Sequence, residues 1–169
     1  MERDAHLDPI RLELYVRTLS PPGARSRQEA VIDRLDALAE SERVDDWYVK
    51  VWGKQIDPTT NAADTDQGQF ILNRIAEFQQ WALANNATLE SFYQTREQSS
   101  SITGEDHTSI VLPKMGLAEY HGSELAQVTP CTRREDDDVC TVIDHLNELE
   151  RRLTAPAGTQ SPSTPVAEE

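Results

Sequence analysis

Lysine is nearly missing from this chain. Of its 169 residues only Lys50, Lys54 and Lys114 carry an ammonium group, which excludes the freely lysine-coated surface of an ordinary mesophilic protein. Cysteine is almost as scarce: Cys131 and Cys140, nine apart, are too few for a disulfide framework and fit a reducing compartment. No apolar run reaches signal-peptide or bilayer-spanning length, so neither standard export nor a membrane span is expected and the chain reads as cytoplasmic. A Gly-Lys-Ser/Thr phosphate cradle, a Gly-x-Ser-x-Gly elbow and a dinucleotide fingerprint are all missing too, which removes the nucleotide-binding and hydrolase classes that rest on them.

Acid is what the chain has in excess. Thirty acidic residues face sixteen basic ones, giving a net charge of −14. Such a surface suits molar salt, where self-repulsion is screened within ~3 Å and hydrated carboxylates keep the protein soluble. The composition therefore points to the cytoplasm of a salt-accumulating archaeon. The acids are spread along the chain, and the one tight run, Glu135 to Asp138, is expected at a helix start, where the dipole favours it, and not in an interaction tail.

With 37% hydrophobic residues, the length fits one domain, able to bury about two-thirds of its unfolded surface. Ile10, Leu12, Leu14 and Val16 alternate with Arg11, Glu13, Tyr15 and Arg17, as in a strand with one apolar and one polar face. Ser20-Pro21-Pro22-Gly23 stops it. A helix is expected from Ser26, capped by its hydroxyl with Glu29 completing the box, and Val31, Leu35 and Leu38 form its buried stripe, widened by Ile32 and Ala39. A second strand over about 46–56 completes a right-handed βαβ unit with parallel strands.

After a polar loop at 57–65, Asp66 is expected to cap a long helix through Ala84, with Gln69 at the box position and Ile71, Ile75, Phe78 and Ala82 inward. A strand near 88–94 and the serine-rich stretch 99–101 lead to a hairpin with arms at about 109–120 and 124–128, turning at His121-Gly122. A final helix is expected over about 137–153, with Val139, Val142, Ile143, Leu146, Leu149 and Leu153 at helical spacing. The Pro/Ser/Thr/Glu-rich residues 154–169 cannot repay their ordering entropy and read as a disordered tail. The expectation is one α/β domain at 8–153, in two or three layers, with a βαβ unit followed by α-β-β-β-α and a mixed sheet.

Charge is distributed unevenly. Residues 11–54 hold eight basic and eight acidic groups and are neutral, so the remainder carries the whole −14. In that neutral island Tyr15 and Arg17 share a sheet face with Tyr48, Lys50, Trp52 and Lys54, if both strands pack their other face on the first helix. Basic groups between aromatic rings suit a surface that stacks bases and tracks phosphates. The alternative is burial of that face beneath the long helix, with lysine stems reaching the edge. Arg25, Arg27 and Arg34 on or beside the first helix complete the nucleic-acid-binding candidates, Arg27 and Arg34 lying seven apart.

No catalytic set is legible. Cys131, Cys140, His107 and His121 have the residue types of a zinc site without a C-x-x-C or H-x-x-x-H knuckle, so they read as isolated residues and neither a metal nor another cofactor is expected. His145, beside Asp144, reads as a surface residue lacking a nucleophile within reach. The polar stretch 101–107 reads as a turn.

Leu12-Glu13-Leu14-Tyr15-Val16-Arg17-Thr18-Leu19-Ser20-Pro21-Pro22-Gly23-Ala24, then Arg27-Gln28-Glu29 and Val49-Lys50-Val51-Trp52-Gly53-Lys54, resemble a group of small haloarchaeal proteins described as helix-turn-helix-domain proteins. Ser101-Ile102-Thr103-Gly104-Glu105, Ile110-Val111-Leu112-Pro113 and Val128-Thr129-Pro130-Cys131 are similar to the same group. The resemblance covers about 10–150 and implies a non-enzymatic regulator whose partner is DNA. Only one good helix fits between Ser26 and Trp47, so the second helix of such a motif is not legible there. The element order also looks like a thioredoxin-type layout with an added strand, Leu112-Pro113 falling near the cis-proline position. No cysteine pair precedes the first helix, so this second reading is a protein-interaction module without redox chemistry.

Overall fold

The computed structural model describes residues 9–19, 27–58, 64–99, 102, 104 and 106–154. Its elements run β1 (Ile10–Val16), α1 (Arg27–Glu40), β2 (Asp46–Val51), β3 (Gln55–Ile56), α2 (Asp66–Ala84), β4 (Ala87–Thr88), β5 (Thr95–Ser99), β6 (Asp106–Val111), β7 (Met115–His121), β8 (Glu124–Thr129), β9 (Cys131–Arg133), β10 (Val139–Cys140) and α3 (Val142–Thr154). The α/β expectation holds. The order β2-β1-β7-β8 forms a mixed sheet in which β2 runs parallel to β1 and the remaining neighbours are antiparallel.

Three layers result, because β1 and β7 bury both faces. Leu12, Leu14, Val16 and Leu117 meet Val31, Leu35 and Leu38 of α1 and Leu146 and Leu149 of α3. On the opposite face Tyr15, Ala118, Tyr120 and Val128 meet Ile71, Ile75, Phe78 and Ala82 of α2. The expected stripe residues Val31, Leu35 and Leu38 of α1 and Ile71, Ile75, Phe78 and Ala82 of α2 are therefore interior, while Ile32 and Ala39 are half-buried beside them. The polar alternation read for β1 is corrected here: Glu13 and Tyr15 are as buried as their apolar neighbours, since α2 supplies partners for both.

Several boundaries move for identifiable reasons. The strand expected over 46–56 breaks at Trp52-Gly53-Lys54, where Gly53 takes a φ of +84°, and its last two residues join a separate sheet of order β3-β6-β5. The long hairpin arm breaks likewise at Leu112-Pro113-Lys114, and the strand near 88–94 is replaced by β4 and β5 with a turn between them. The turn joining β7 and β8 is Gly122-Ser123, one residue later than expected; it has positive φ only at Gly122, as a type II′ turn requires. The cap of α2 is Thr65, whose Oγ1 accepts the Gly68 N–H at 3.0 Å, in place of Asp66.

The start of α3 moves furthest. Glu135 to Asp138 lie before β10 and not in the helix, and Thr141 caps it: Asp144 N–H donates to Thr141 Oγ1 at 3.1 Å while Thr141 N–H donates to Asp144 Oδ2 at 3.0 Å. The sole cis peptide bond among the described residues is Thr129-Pro130, not Leu112-Pro113. The expected cap at Ser26 and the tail beyond Thr154 fall outside the described residues. Among the described residues no helix is long and apolar enough to cross a membrane.

An aromatic cluster fills the α2 side. Tyr15 stacks on Trp52 with centroids 4.8 Å apart, and Phe78 and Tyr93 meet these rings edge-on. Gly116, opposite Tyr15, makes room for the indole: a Cβ there would lie 3.1 Å from its ring. The Tyr93 hydroxyl is buried in this cluster with no hydrogen-bond partner among the described residues. Tyr93→Phe removes that unsatisfied group, so urea unfolding is expected to show unchanged stability or a gain of up to about 1 kcal/mol. A loss of that size would mean that the hydroxyl keeps a partner and that its burial is not the defect described.

Candidate functional site

The proposed stacking surface does not exist in this fold. Trp52 is in the core with its Nε1–H donated to the Pro113 carbonyl at 3.2 Å, and Tyr15 lies beneath α2. Tyr48 and Lys50 stay exposed at the sheet edge, where the Lys50 ammonium lies 5.9 Å from the Tyr48 ring centre and 5.2 Å from that of Phe70. The face is thus divided between core and rim. This corrects the expectation of a continuous aromatic and basic stripe, because α2 covers all but its outer strand.

Arg34 is also redirected. Its guanidinium donates Nε–H to Glu150 Oε2 at 2.9 Å and Nη2–H to Glu150 Oε1 and Asn147 Oδ1 at 2.7 Å each, clamping α1 to α3. That hydrogen bond raises the guanidinium above its ordinary pKa and lowers the Glu150 carboxyl. A bidentate pair of this kind leaves little charge for a phosphate. Arg25 lies outside the described residues.

Of the remaining candidates, Arg17, Arg27 and Lys54 gather at one end of the central sheet. Arg17 follows β1, and its N–H donates to the Lys114 carbonyl at 3.3 Å while its guanidinium Nε–H reaches the Leu112 carbonyl at 2.9 Å. Leu112 in turn donates its N–H to the Lys54 carbonyl at 2.9 Å. The first turn of α1 joins them, as Gln28 donates to the Thr18 carbonyl at 2.8 Å and Arg27 beside it is exposed. Arg17, Arg27, Lys54 and Lys114 therefore border the carboxyl ends of the parallel strands β1 and β2. A carbonyl acceptor holds the Arg17 guanidinium without cancelling its charge. Lys114 was not among the residues singled out from sequence, because its nearness to Lys54 arises only through the Leu112 bond.

Two polar clusters are buried on either side of the sheet. Glu13 accepts Nε–H and Nη2–H of Arg74, both at 2.9 Å, and the Tyr15 hydroxyl also donates to it. Burial by itself raises the Glu13 carboxyl, but its bonds to Arg74 and Tyr15 prevail and the pKa falls below the ordinary value. On the other face Glu119 accepts from His145 Nε2 at 2.9 Å and lies within reach of His121 and Arg152. His145 Nδ1 is 2.8 Å from Thr129 Oγ1. The surface position expected for His145 is wrong: the ring is fully buried, and its place on the Val142, Leu146, Leu149 stripe was the available signal.

Thr129, His145 and Glu119 have the residue types of a hydrolytic relay. All three are 1% exposed or less, so the hydroxyl meets no substrate in this conformation and the cluster ties α3 to β7 and β8. Cys131 and Cys140 stand opposite one another across β9 and β10, whereas His107 faces Asp57 and His121 faces Glu119. Among the described residues no three His, Cys, Asp or Glu side chains form a group suited to a metal.

The Glu119 cluster carries a pH signature. Desolvation pushes this carboxyl up, but His145, His121 and Arg152 together bring it to about 2, against an ordinary 4.5. A carboxyl held lower in the folded state stabilises the fold above about pH 4.5 and loses that contribution as pH falls toward 2, on the order of 3 kcal/mol. Glu119→Gln is expected to lower stability at neutral pH by a few kcal/mol and to flatten the acid limb of urea midpoint against pH, with Glu13 retaining the rest. A variant with the parent's full acid slope would show that the cluster does not carry it.

The family described as a helix-turn-helix domain matches residues 4–154. Neither a curated protein nor a solved structure matches the chain.

Proposed function

Because the chain belongs to the helix-turn-helix domain family, we propose that it is a non-enzymatic regulator that binds DNA through the basic end of its central sheet. One observation carries the reading: in a protein of net charge −14, Arg17, Arg27, Lys54 and Lys114 meet at the carboxyl ends of β1 and β2. Among the described residues no two helices follow one another through a short turn, since α1 leads to β2 and α2 to β4. Contact is accordingly assigned to strand ends and the first turn of α1, where cations position a protein on phosphates without reading bases.

The element order supports a second reading, a thioredoxin-like module that takes a protein partner without redox chemistry. A βαβ unit, a helix on the opposite face, an antiparallel pair and a closing helix are what that layout requires. Fluorescence anisotropy of genomic duplexes from around the protein's own gene, titrated across potassium chloride, separates the two. The triple variant Arg27→Glu, Lys54→Glu and Lys114→Glu is expected to abolish binding, and each single change to lower the slope of log affinity against log salt by about one. No retained duplex at any salt in which circular dichroism reports a folded protein would remove the DNA reading and leave the module.

The excess carboxylate supports a working environment of molar salt in an archaeal cytoplasm. The melting temperature is expected to climb as potassium chloride rises from about 0.1 M to several molar, through screening of the surface repulsion. A melting temperature indifferent to salt would exclude that adaptation.

A further inference from the structure

Among the described residues, strand β2 is a sheet edge covered only at its carboxyl end. Natural edges are kept short, strongly charged, bulged or covered, yet β2 runs six residues and leaves Tyr48 42%, Val49 37% and Val51 39% exposed. Its backbone polarity follows from the parallel ladder with β1. Trp52 N–H donates to the Val16 carbonyl at 2.8 Å, so alternate residues Tyr48 and Lys50 also direct their N–H and C=O groups at β1, and those of Trp47, Val49 and Val51 point outward. The Val51 carbonyl accepts the Gln67 side chain at 3.0 Å, which closes that end. Among the described residues β2 pairs with β1 alone, leaving the outward groups of Trp47 and Val49 without a strand.

We propose that β2 pairs antiparallel with β2 of a second copy about a two-fold axis through Tyr48, fusing the two central sheets into one. In this register Trp47 faces Val49 of the other copy and the two exchange both backbone bonds, twice by symmetry. Tyr48 faces Tyr48, and Asp46 faces Lys50 in both halves of the interface. The three side chains already form a row within one copy, with the Tyr48 hydroxyl 3.1 Å from Asp46 Oδ2 and the Lys50 ammonium above the Tyr48 ring. Among the described residues Lys50 meets aromatic rings and no carboxylate; the second copy supplies one.

Other registers fail on the same residues. An axis through Val49 requires the Val51 carbonyl, which Gln67 holds, and sets Lys50 against Tyr48. With the axis through Trp47, Lys50 stands opposite the buried Val44 and the charges are unmatched. Charge also selects the surface: outside 11–54 two copies bring net negative charge together, whereas this edge offers one acid and one base in self-complementary order. The proposal concerns the sheet edge and is independent of DNA binding.

Sedimentation equilibrium of the full chain in about 0.5 M potassium chloride tests it, because a Debye length of roughly 4 Å screens the net charge between distant surfaces but not an ion pair in contact. The wild type is expected to dimerise reversibly, and Asp46→Lys or Lys50→Asp each to weaken the dimer by roughly tenfold or more, since two pairs turn repulsive. Mixing these two variants restores opposite charges at both positions and is expected to give a heterodimer at least as tight as the wild type. Val49→Pro removes an outward N–H while sparing the ladder with β1, and is expected to leave a folded monomer. A wild type that stays monomeric overturns the proposal, as does a dimer indifferent to Lys50→Asp or a variant mixture that fails to associate. The charge variants lie on the surface, so their outcome stands even if Val49→Pro does not fold.

Discussion

Two carboxylates set on opposite faces of the β1–β7 ladder constrain everything packed around them. Glu119 pairs in register with Leu12 and Glu13 with Ala118, so the two acids are one step apart along the ladder and point to opposite layers. A buried carboxylate without a partner costs several kcal/mol, more than the pair yields when whole. Each therefore dictates which helix face lies over it. Arg74 fixes α2 and His145 with Arg152 fixes α3, while Arg34 and Glu150 tie α1 to α3. A helix rotated by a quarter turn both lifts its apolar stripe out of the core and leaves an acid buried and alone, so the ion pairs add to the orientation that burial already favours.

Those stripes were what the residues made legible. Val31, Leu35 and Leu38, and Ile71, Ile75, Phe78 and Ala82, follow from local spacing, because burial of an amphipathic face needs no knowledge of the partner. The carboxylates were not legible for the converse reason. Glu13 is tolerated inside only because Arg74 arrives from 61 positions away, and no local pattern encodes that meeting. The reading of β1 as polar on one face failed at this point. Two- and three-residue strands such as β3, β4 and β10 carry no periodicity to detect, whereas the breaks they cause sit at Gly53 and Pro113, residues that do punctuate strands. The onset of α3 was written in Thr141 and Asp144, and the nearby acidic run drew the expectation too early.

Availability of charge is a different quantity from charge. Residues 11–54 are neutral by count, but Arg34 belongs to Glu150 and Arg11 lies 3.2 Å from Glu13. The candidate surface read from composition was thus partly spent inside the fold, and Trp52, its strongest aromatic element, turned inward to stack on Tyr15. That inward turn has a positional cause: Trp52 lies past the end of β2, where Gly53 bends the chain and Gly116 leaves the space.

The same geometry explains where usable cations survive. A helix packed across a sheet converts mid-strand residues into core but cannot cover the strand ends, where loops diverge and side chains regain water. Arg17, Lys54 and Lys114 all occupy such ends, and Arg27 begins the helix that starts beside them. Edge strand β2 escapes cover for a related reason, because α2 lies over β1 and β7 and meets the outer strand at its rim, where Gln67 reaches the Val51 carbonyl and Phe70 lies beneath the Lys50 ammonium. Among the described residues the strand ends, which hold Arg17, Arg27, Lys54 and Lys114, and the sheet edge, where Asp46 and Lys50 balance, are thus left uncovered. A polyanion would suit the first and a second neutral edge the second, so the two proposed surfaces occupy separate places in the fold although Asp46 and Lys50 lie between Arg27 and Lys54 in the sequence.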